Sequence, residues 1–208
     1  VAVGTCTINA NQSGDGNYLA ATMVPQSFAV NAGSRTISIS STSTTLTYGS
    51  TATLSSSASL GDTDGTKTYS VGSSTGCSLS GTTLSVTNAT GTCSVTVTIG
   101  VGTSYGSATS SGLSITLAKA NQSSLTLSTT SGTYGSSTNL SVTGGSSNGA
   151  VTYVKDSGSN CSVTSSGVVS NTGAGDCYIT ATMAGGNNYN NVSTTSTKFT
   201  VAKATPSI

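Results

Sequence analysis

Five cysteines are the most chemically capable side chains in this sequence, and their spacing is regular. The interval from Cys77 to Cys93 equals that from Cys161 to Cys177. The chain has no His and no Glu, and all five of its acidic residues are Asp. Without imidazole there is no Ser-His-Asp or Cys-His catalytic set and no histidine metal ligand. No C-x-x-C spacing suggests a thiolate zinc site. Paired carboxylates for glycoside hydrolysis have almost nothing to draw on. The expectation is a non-enzyme with no cofactor and no metal. The four regularly spaced thiols can form a disulfide within each pair or lie as free core thiols, and equal spacing in both pairs favours the bridges Cys77–Cys93 and Cys161–Cys177. Closing a loop of this length stabilises by about 3 kcal/mol in the chain-entropy model. Such bonds persist outside the cytoplasm. Cys6 is left over, as an unpaired or intermolecular thiol or one whose partner lies ahead of Val1. The stretch Asp62-Thr63-Asp64-Gly65 resembles the opening of a calcium loop, but calcium wants six to eight oxygen ligands. A hairpin turn is the better reading there, and at Asn148-Gly149.

The elements that would carry these residues are strands. Charged residues make up 5% of the chain, against about 25% for an average domain. Ser (42) and Thr (40) together are well over a third of it. Disordered chains are usually charged and poor in β-branched residues, whereas this one is rich in Thr, Val and Ile, which suit half-buried strands. Net charge is +1, so no basic footprint for nucleic acid exists. No apolar run approaches the ~18 residues of a membrane span, and no membrane contact is expected. Alternating segments read as strands at 36–40, 51–54, 67–71, 83–86, 93–99 and 113–117, with counterparts at 125–128, 138–142, 151–154, 168–170, 177–183 and 198–201. Six such segments in each set, close to the seven of an immunoglobulin-like sandwich, predict an all-β fold of tandem immunoglobulin-like antiparallel sandwiches, each with one internal disulfide.

Other anchors keep the offset between the two cysteine pairs: Tyr69 and Tyr153, Tyr105 and Tyr189, Lys119 and Lys203. Tyr48-Gly49-Ser50 recurs as Tyr134-Gly135-Ser136. Two repeats follow, at 33–119 and 120–203. The interval from Cys6 to Tyr18 is also that from Cys93 to Tyr105 and from Cys177 to Tyr189. Residues 1–32 therefore read as the C-terminal part of a preceding repeat, and 204–208 as the start of a following one.

Within each repeat a G-x-C-x-φ-T-x-T pattern (φ apolar) occurs, as Gly91–Thr98 and Gly175–Thr182. A Gly-rich turn and a Tyr follow, as in Ala184–Tyr189, and Val201-Ala202-Lys203 closes the second repeat. This pattern resembles the bacterial immunoglobulin-like tandem repeats of large cell-surface adhesins. The resemblance implies structural stalk or spacer repeats of a secreted or surface-anchored protein, giving reach and mechanical persistence. It implies an extracellular, bacterial cell-surface location, with neighbouring repeats as the principal partners.

Two alternatives stand beside the stalk. Ends that fall inside a repeat suit a subunit of a self-assembling extracellular filament or sheath, with copies of itself as partners. Tyr105 and Tyr189, the latter flanked by Asn187 and Asn188, could instead make contact with surface glycans. The structural reading of these tyrosines is a ring covering the sandwich end with its hydroxyl tied to backbone. Lys119 and Lys203 sit at repeat boundaries, but no carboxylic acid is placed to catalyse an isopeptide there. Six N-x-[ST] sequons begin at Asn11, Asn88, Asn121, Asn139, Asn160 and Asn191.

Overall fold

The computed structural model describes residues 3–206. A hairpin of β1 (Gly4–Ala10) and β2 (Val24–Val30) comes first. The first sandwich follows with β3 (Ile37–Ser41), β4 (Thr45–Thr47), β5 (Thr51–Ala58), β6 (Lys67–Ser70), β7 (Cys77–Ser80), β8 (Thr83–Val86), β9 (Ser94–Ile99), β10 (Ala108–Thr109), β11 (Leu113–Ser114) and β12 (Thr116–Ala118). The second has β13 (Leu125–Leu127), β14 (Ser131–Thr133), β15 (Ser137–Asn139), β16 (Val142–Gly144), β17 (Val151–Ser157), β18 (Cys161–Val163), β19 (Val168–Asn171), β20 (Gly175–Met183), β21 (Val192–Ser193) and β22 (Thr197–Ala202).

In the first sandwich one sheet runs β3-β5-β8-β7, and β9 of the facing sheet pairs with β6, β10 and β11. In the second, β13 pairs β16 and β15-β19-β18 continues that layer, facing β14-β22-β20-β17. Both are two-layer, mainly antiparallel sandwiches of the immunoglobulin-like kind. Alternation of apolar and hydroxyl residues decides which face packs inward: Val95, Val97 and Ile99 of β9 are fully buried, as are Cys177, Ile179 and Ala181 of β20. Each sandwich has its own core, around Leu84 and Val95 in the first and around Val169 and Phe199 in the second.

The bridges Cys77–Cys93 and Cys161–Cys177 are both formed. Each ties β7 or β18 of one layer to the start of β9 or β20 in the other, stapling the two sheets.

Several expectations change. Asp64-Gly65 and Asn148-Gly149 are not hairpin turns. Each lies in a loop that leaves one sheet, from β5 or β16, and enters the other at β6 or β17. The stretch 113–117 is two strands, because the chain switches partner from β9 to β4 after Ser114. The short strands β4 and β14 escaped the sequence reading; each runs parallel to the last strand of its sandwich. Thr-Leu-Thr and Ser-Gly-Thr are too short for their alternation to be recognised.

The β1–β2 hairpin has the register of β20–β22. Cys6 faces Phe28 and Gly4 faces Val30, as Cys177 faces Phe199 and Gly175 faces Val201. The burial differs. Ile8 is 60% and Phe28 50% exposed, whereas Ile179 and Phe199 are fully buried. Among the described residues Cys6 is unbridged.

Candidate functional site: an aromatic joint between the sandwiches

The loop around Tyr189 is built by the end of β20. After Met183 the strand stops at Gly185 and Gly186, whose backbone turns tightly; Gly186 sits at φ 65°. The turn closes on itself, with the Tyr189 amide donating to the Gly185 carbonyl at 3.2 Å and the Gly185 amide to Asn191 Oδ1 at 2.9 Å. A side chain at 185 would collide with the Tyr189 carbonyl. Ala120 is held beside this loop: its amide donates to the Asn188 carbonyl, and the Asn190 amide to the Ala120 carbonyl, both at 2.9 Å.

So placed, the loop meets the end of the first sandwich at three points. The Tyr189 ring lies edge-on to Tyr48, with centroids 5.2 Å apart and planes at 75°. Such edge-to-face pairs contribute about 0.5–1.5 kcal/mol beyond area burial. The Ala89 amide donates to Asn188 Oδ1 at 3.0 Å, which leaves Ala89 8% exposed. Lys119 Nζ donates to the Gly186 carbonyl at 2.6 Å. Of the residues singled out from sequence, Tyr189 and Asn188 are brought together here, while Asn187 is exposed to solvent. Lys119, marked from sequence as a boundary residue, bonds a backbone carbonyl of the next sandwich. Tyr48, which completes the joint, entered the sequence reading only as a repeat marker. The signal was present in the in-register recurrence of Tyr-Gly-Ser at 48 and 134.

The equivalent loop of the first sandwich is pinned differently. Tyr105 packs on Gly33 and Gly61, and a Cβ at 61 would run into its ring. Arg35 lies 5.9 Å from the Tyr105 centroid. Arg35 is 8% exposed, and its guanidinium donates to the carbonyls of Gly106, Gly61, Asp64 and Gly100 at 2.5–2.8 Å. The Asp64 carboxylate turns the other way and accepts the amides of Thr103, Ser104 and Tyr105 at 2.6–3.0 Å. Those bonds stabilise the anion and hold its pKa down at about 2. Asp62 points elsewhere, to the Ala58 amide and Lys67, so the two carboxylates do not converge as calcium ligands. Arg35 was missed by sequence reasoning, although the only Arg in so uncharged a chain was a usable flag.

A shallow depression lined by Lys67, Tyr69, Leu79 and Thr82 lies beside β6, away from the joint.

No family model and no curated protein matches the sequence. Among solved structures, the chain resembles titin domains z1z2 in complex with telethonin (TM-score 0.34, 16% identity, 85% of this chain and 100% of that one). It also resembles Drosophila N-cadherin EC1-4 (0.28, 9%, 96% and 58%) and the tandem Ig repeats of Dlar (0.27, 10%, 82% and 100%). The sheet order of the two sandwiches carries their immunoglobulin-like character.

Proposed function

We propose that this chain is a structural, adhesion-type segment of an extracellular protein, in which disulfide-stapled sandwiches are held end to end as a spacer. The carrying observation is the joint itself. An aromatic pair, a side-chain hydrogen bond and a lysine–carbonyl bond connect two units that each have their own core. At about 1 kcal/mol each for the ring pair and the partly buried Ala89–Asn188 hydrogen bond, the closed joint outweighs the open one by roughly 30-fold. Sandwiches that contact only their neighbours transmit extension along one axis. The sequence resemblance to bacterial surface repeats supports a stalk of a secreted or surface-anchored adhesin-like protein as the finer reading. On that reading the β1–β2 hairpin closes a preceding sandwich, whose other strands would cover Ile8 and Phe28.

The test is nitrogen-15 relaxation of the whole chain. Both sandwiches are expected to tumble as one elongated body, and Tyr48→Ala with Asn188→Ala to separate them. Independent tumbling of the unaltered sandwiches sinks the spacer reading.

One observation favours a second reading, a self-assembling filament subunit. The inward face of the β1–β2 hairpin is open at Ile8 and Phe28, and copies could cover it in one another. Sedimentation over a wide concentration range separates the two: a monomer throughout leaves the spacer, and growing oligomers that Phe28→Ser abolishes favour the filament.

A further inference from the structure

We infer that the far end of the second sandwich is a preformed seat for a further sandwich whose leading loop carries Gly-Asn-Asn-Tyr, as residues 186–189 do. The inference rests on the joint reading above and extends it to a surface that none of the described residues covers.

Three features of the first sandwich receive the Tyr189 loop, and all three recur at the end of the second. Tyr48 sits on a turn in which its amide donates to the Ala118 carbonyl at 2.9 Å; Tyr134 donates to the Ala202 carbonyl at the same distance. The glycines that follow, Gly49 and Gly135, share φ 78°, a left-handed conformation that a side chain would strain. Ser50 and Ser136 each close the turn by donating from Oγ to the carbonyl three positions back, at 2.7 and 2.6 Å. The backbone of Tyr134 is thus held as the backbone of Tyr48 is held.

The second feature is the amide that meets Asn188. In the first sandwich Thr87 and Asn88 both donate to the Gly76 carbonyl, and Ala89 follows. In the second, Thr172 and Gly173 both donate to the Asn160 carbonyl, and Ala174 follows. The third feature is the ammonium, Lys119 in one and Lys203 in the other.

Occupancy is what differs. Ala89 is buried under Asn188 and Tyr48 is half-buried, whereas Ala174 is exposed and Tyr134 is 52% exposed. The surface is continuous in kind with a contact already made once in this chain, and that contact specifies the partner. It needs a ring to meet Tyr134, a side-chain carbonyl just before that ring to accept from Ala174, and a backbone carbonyl to accept from Lys203. Asn188-Tyr189 supplies these, and Asn17-Tyr18 has the same order. Ser104-Tyr105 does not, because a serine hydroxyl is one atom shorter than an asparagine carbonyl. The seat therefore discriminates among loops by the residue before the tyrosine.

The experiment keeps the whole chain through Lys203 and appends a second copy of residues 120–203 behind it. Relaxation of all three sandwiches is then compared. The appended sandwich is expected to tumble with the second, as the second does with the first. Tyr134→Ala, on an exposed residue that the fold does not need, should release the appended sandwich alone. Changing the asparagine equivalent to Asn188 to Ser in the appended copy should do the same. If the appended sandwich moves freely while the first two remain coupled, the inference fails and the spacer reading stands. If it is held but neither substitution releases it, the inference also fails. If all three move independently, both fall together.

Discussion

Arg35 offers the sharpest test of how the sandwich ends are built. Its guanidinium is a buried cation that four backbone carbonyls satisfy: Gly61, Asp64, Gly100 and Gly106. The carbonyls come from two loops, so one side chain ties together the loop that crosses between sheets and the loop carrying Tyr105. Hydrogen bonds involving a charged group contribute about 1.5–3 kcal/mol each, which sets a gross figure near ~6 kcal/mol at the low end. Desolvating the cation offsets part of that, and water can reach some of the carbonyls once the side chain is gone. The net expected loss for Arg35→Met is about 3 kcal/mol, in the first sandwich only. Arg35→Lys should recover less than half, because a single ammonium cannot span the fork. Amide hydrogen exchange reads each sandwich separately, with Val97 and Ile99 reporting on the first and Ile179 on the second. A loss below about 1 kcal/mol at Val97 would refute the reasoning. So would an equal loss at Ile179, since the effect would then not be local.

The second sandwich has Gln122 where the first has Arg35. Its Nε2 donates to the carbonyls of Met183 and Asn190, and its Oε1 accepts the amides of Ser146 and Ser147. Gln122→Arg should destabilise by about 1–3 kcal/mol in urea unfolding, because the guanidinium would face two amide donors with no acceptor of its own. Asp64 gains stability from a carboxyl pKa held at about 2, below the ordinary value of 3.8. That contribution is complete above pH ~4 and is lost as pH falls through ~2; acid unfolding of the first sandwich should therefore flatten in Asp64→Asn. Reducing both disulfides should lower each sandwich by about 3 kcal/mol, read as a fall in the urea midpoint with dithiothreitol. Gly132→Ala would place a methyl 2.5 Å from Asn171 Nδ2. It should cost about 1–3 kcal/mol in the second sandwich; Thr138 Oγ1 would lie 2.6 Å from the same methyl, so relief should need Asn171→Val and Thr138→Ala together.

How far the sequence could be read depended on the length over which each signal repeats. The cysteine pairs were legible because a bridge demands two positions at a fixed separation, and both copies keep it. Strands β9 and β20 were legible because a long alternating run leaves only one face for the core. Strands β4 and β14 were not, since segments as short as Thr-Leu-Thr and Ser-Gly-Thr carry no usable periodicity. Asp64-Gly65 was misassigned because Asp-Gly satisfies the local demands of a hairpin, while the crossing between sheets is fixed by contacts far away in sequence, with Arg35 and with Thr103–Tyr105. The joint was half legible. The in-register recurrence of Tyr189, with the asparagines beside it, marked one side of it, and Tyr48 was visible as an anchor. What joins them is an end-to-end contact between two folded units, which no local pattern encodes.

Comparing the two sandwiches position by position shows what the repeat fixes and what it leaves free. Leu46, Ala52 and Val86 form a buried apolar corner in the first. By strand register their counterparts are Gly132, Thr138 and Asn171. The corner has been exchanged as a unit. Gly132 makes room for Asn171, whose Nδ2 donates to Ser136 Oγ and Thr138 Oγ1 at 3.1 Å. A buried leucine has given way to a small polar network beneath the Tyr134 turn, yet the turn above it keeps its φ angle and its backbone bonds. Packing volume can be redistributed inside a close-packed core if neighbours change together. The turn cannot drift in the same way, because its position is fixed by the parallel strand before it and by the last strand of the sandwich beside it. The same contrast separates Arg35 from Gln122 at the opposite end: different side chains hold a tyrosine loop in one place. Between the two sandwiches the interior corner differs, while the Tyr48 and Tyr134 turns keep one geometry. Such a pattern fits a chain whose work is done between units rather than within them.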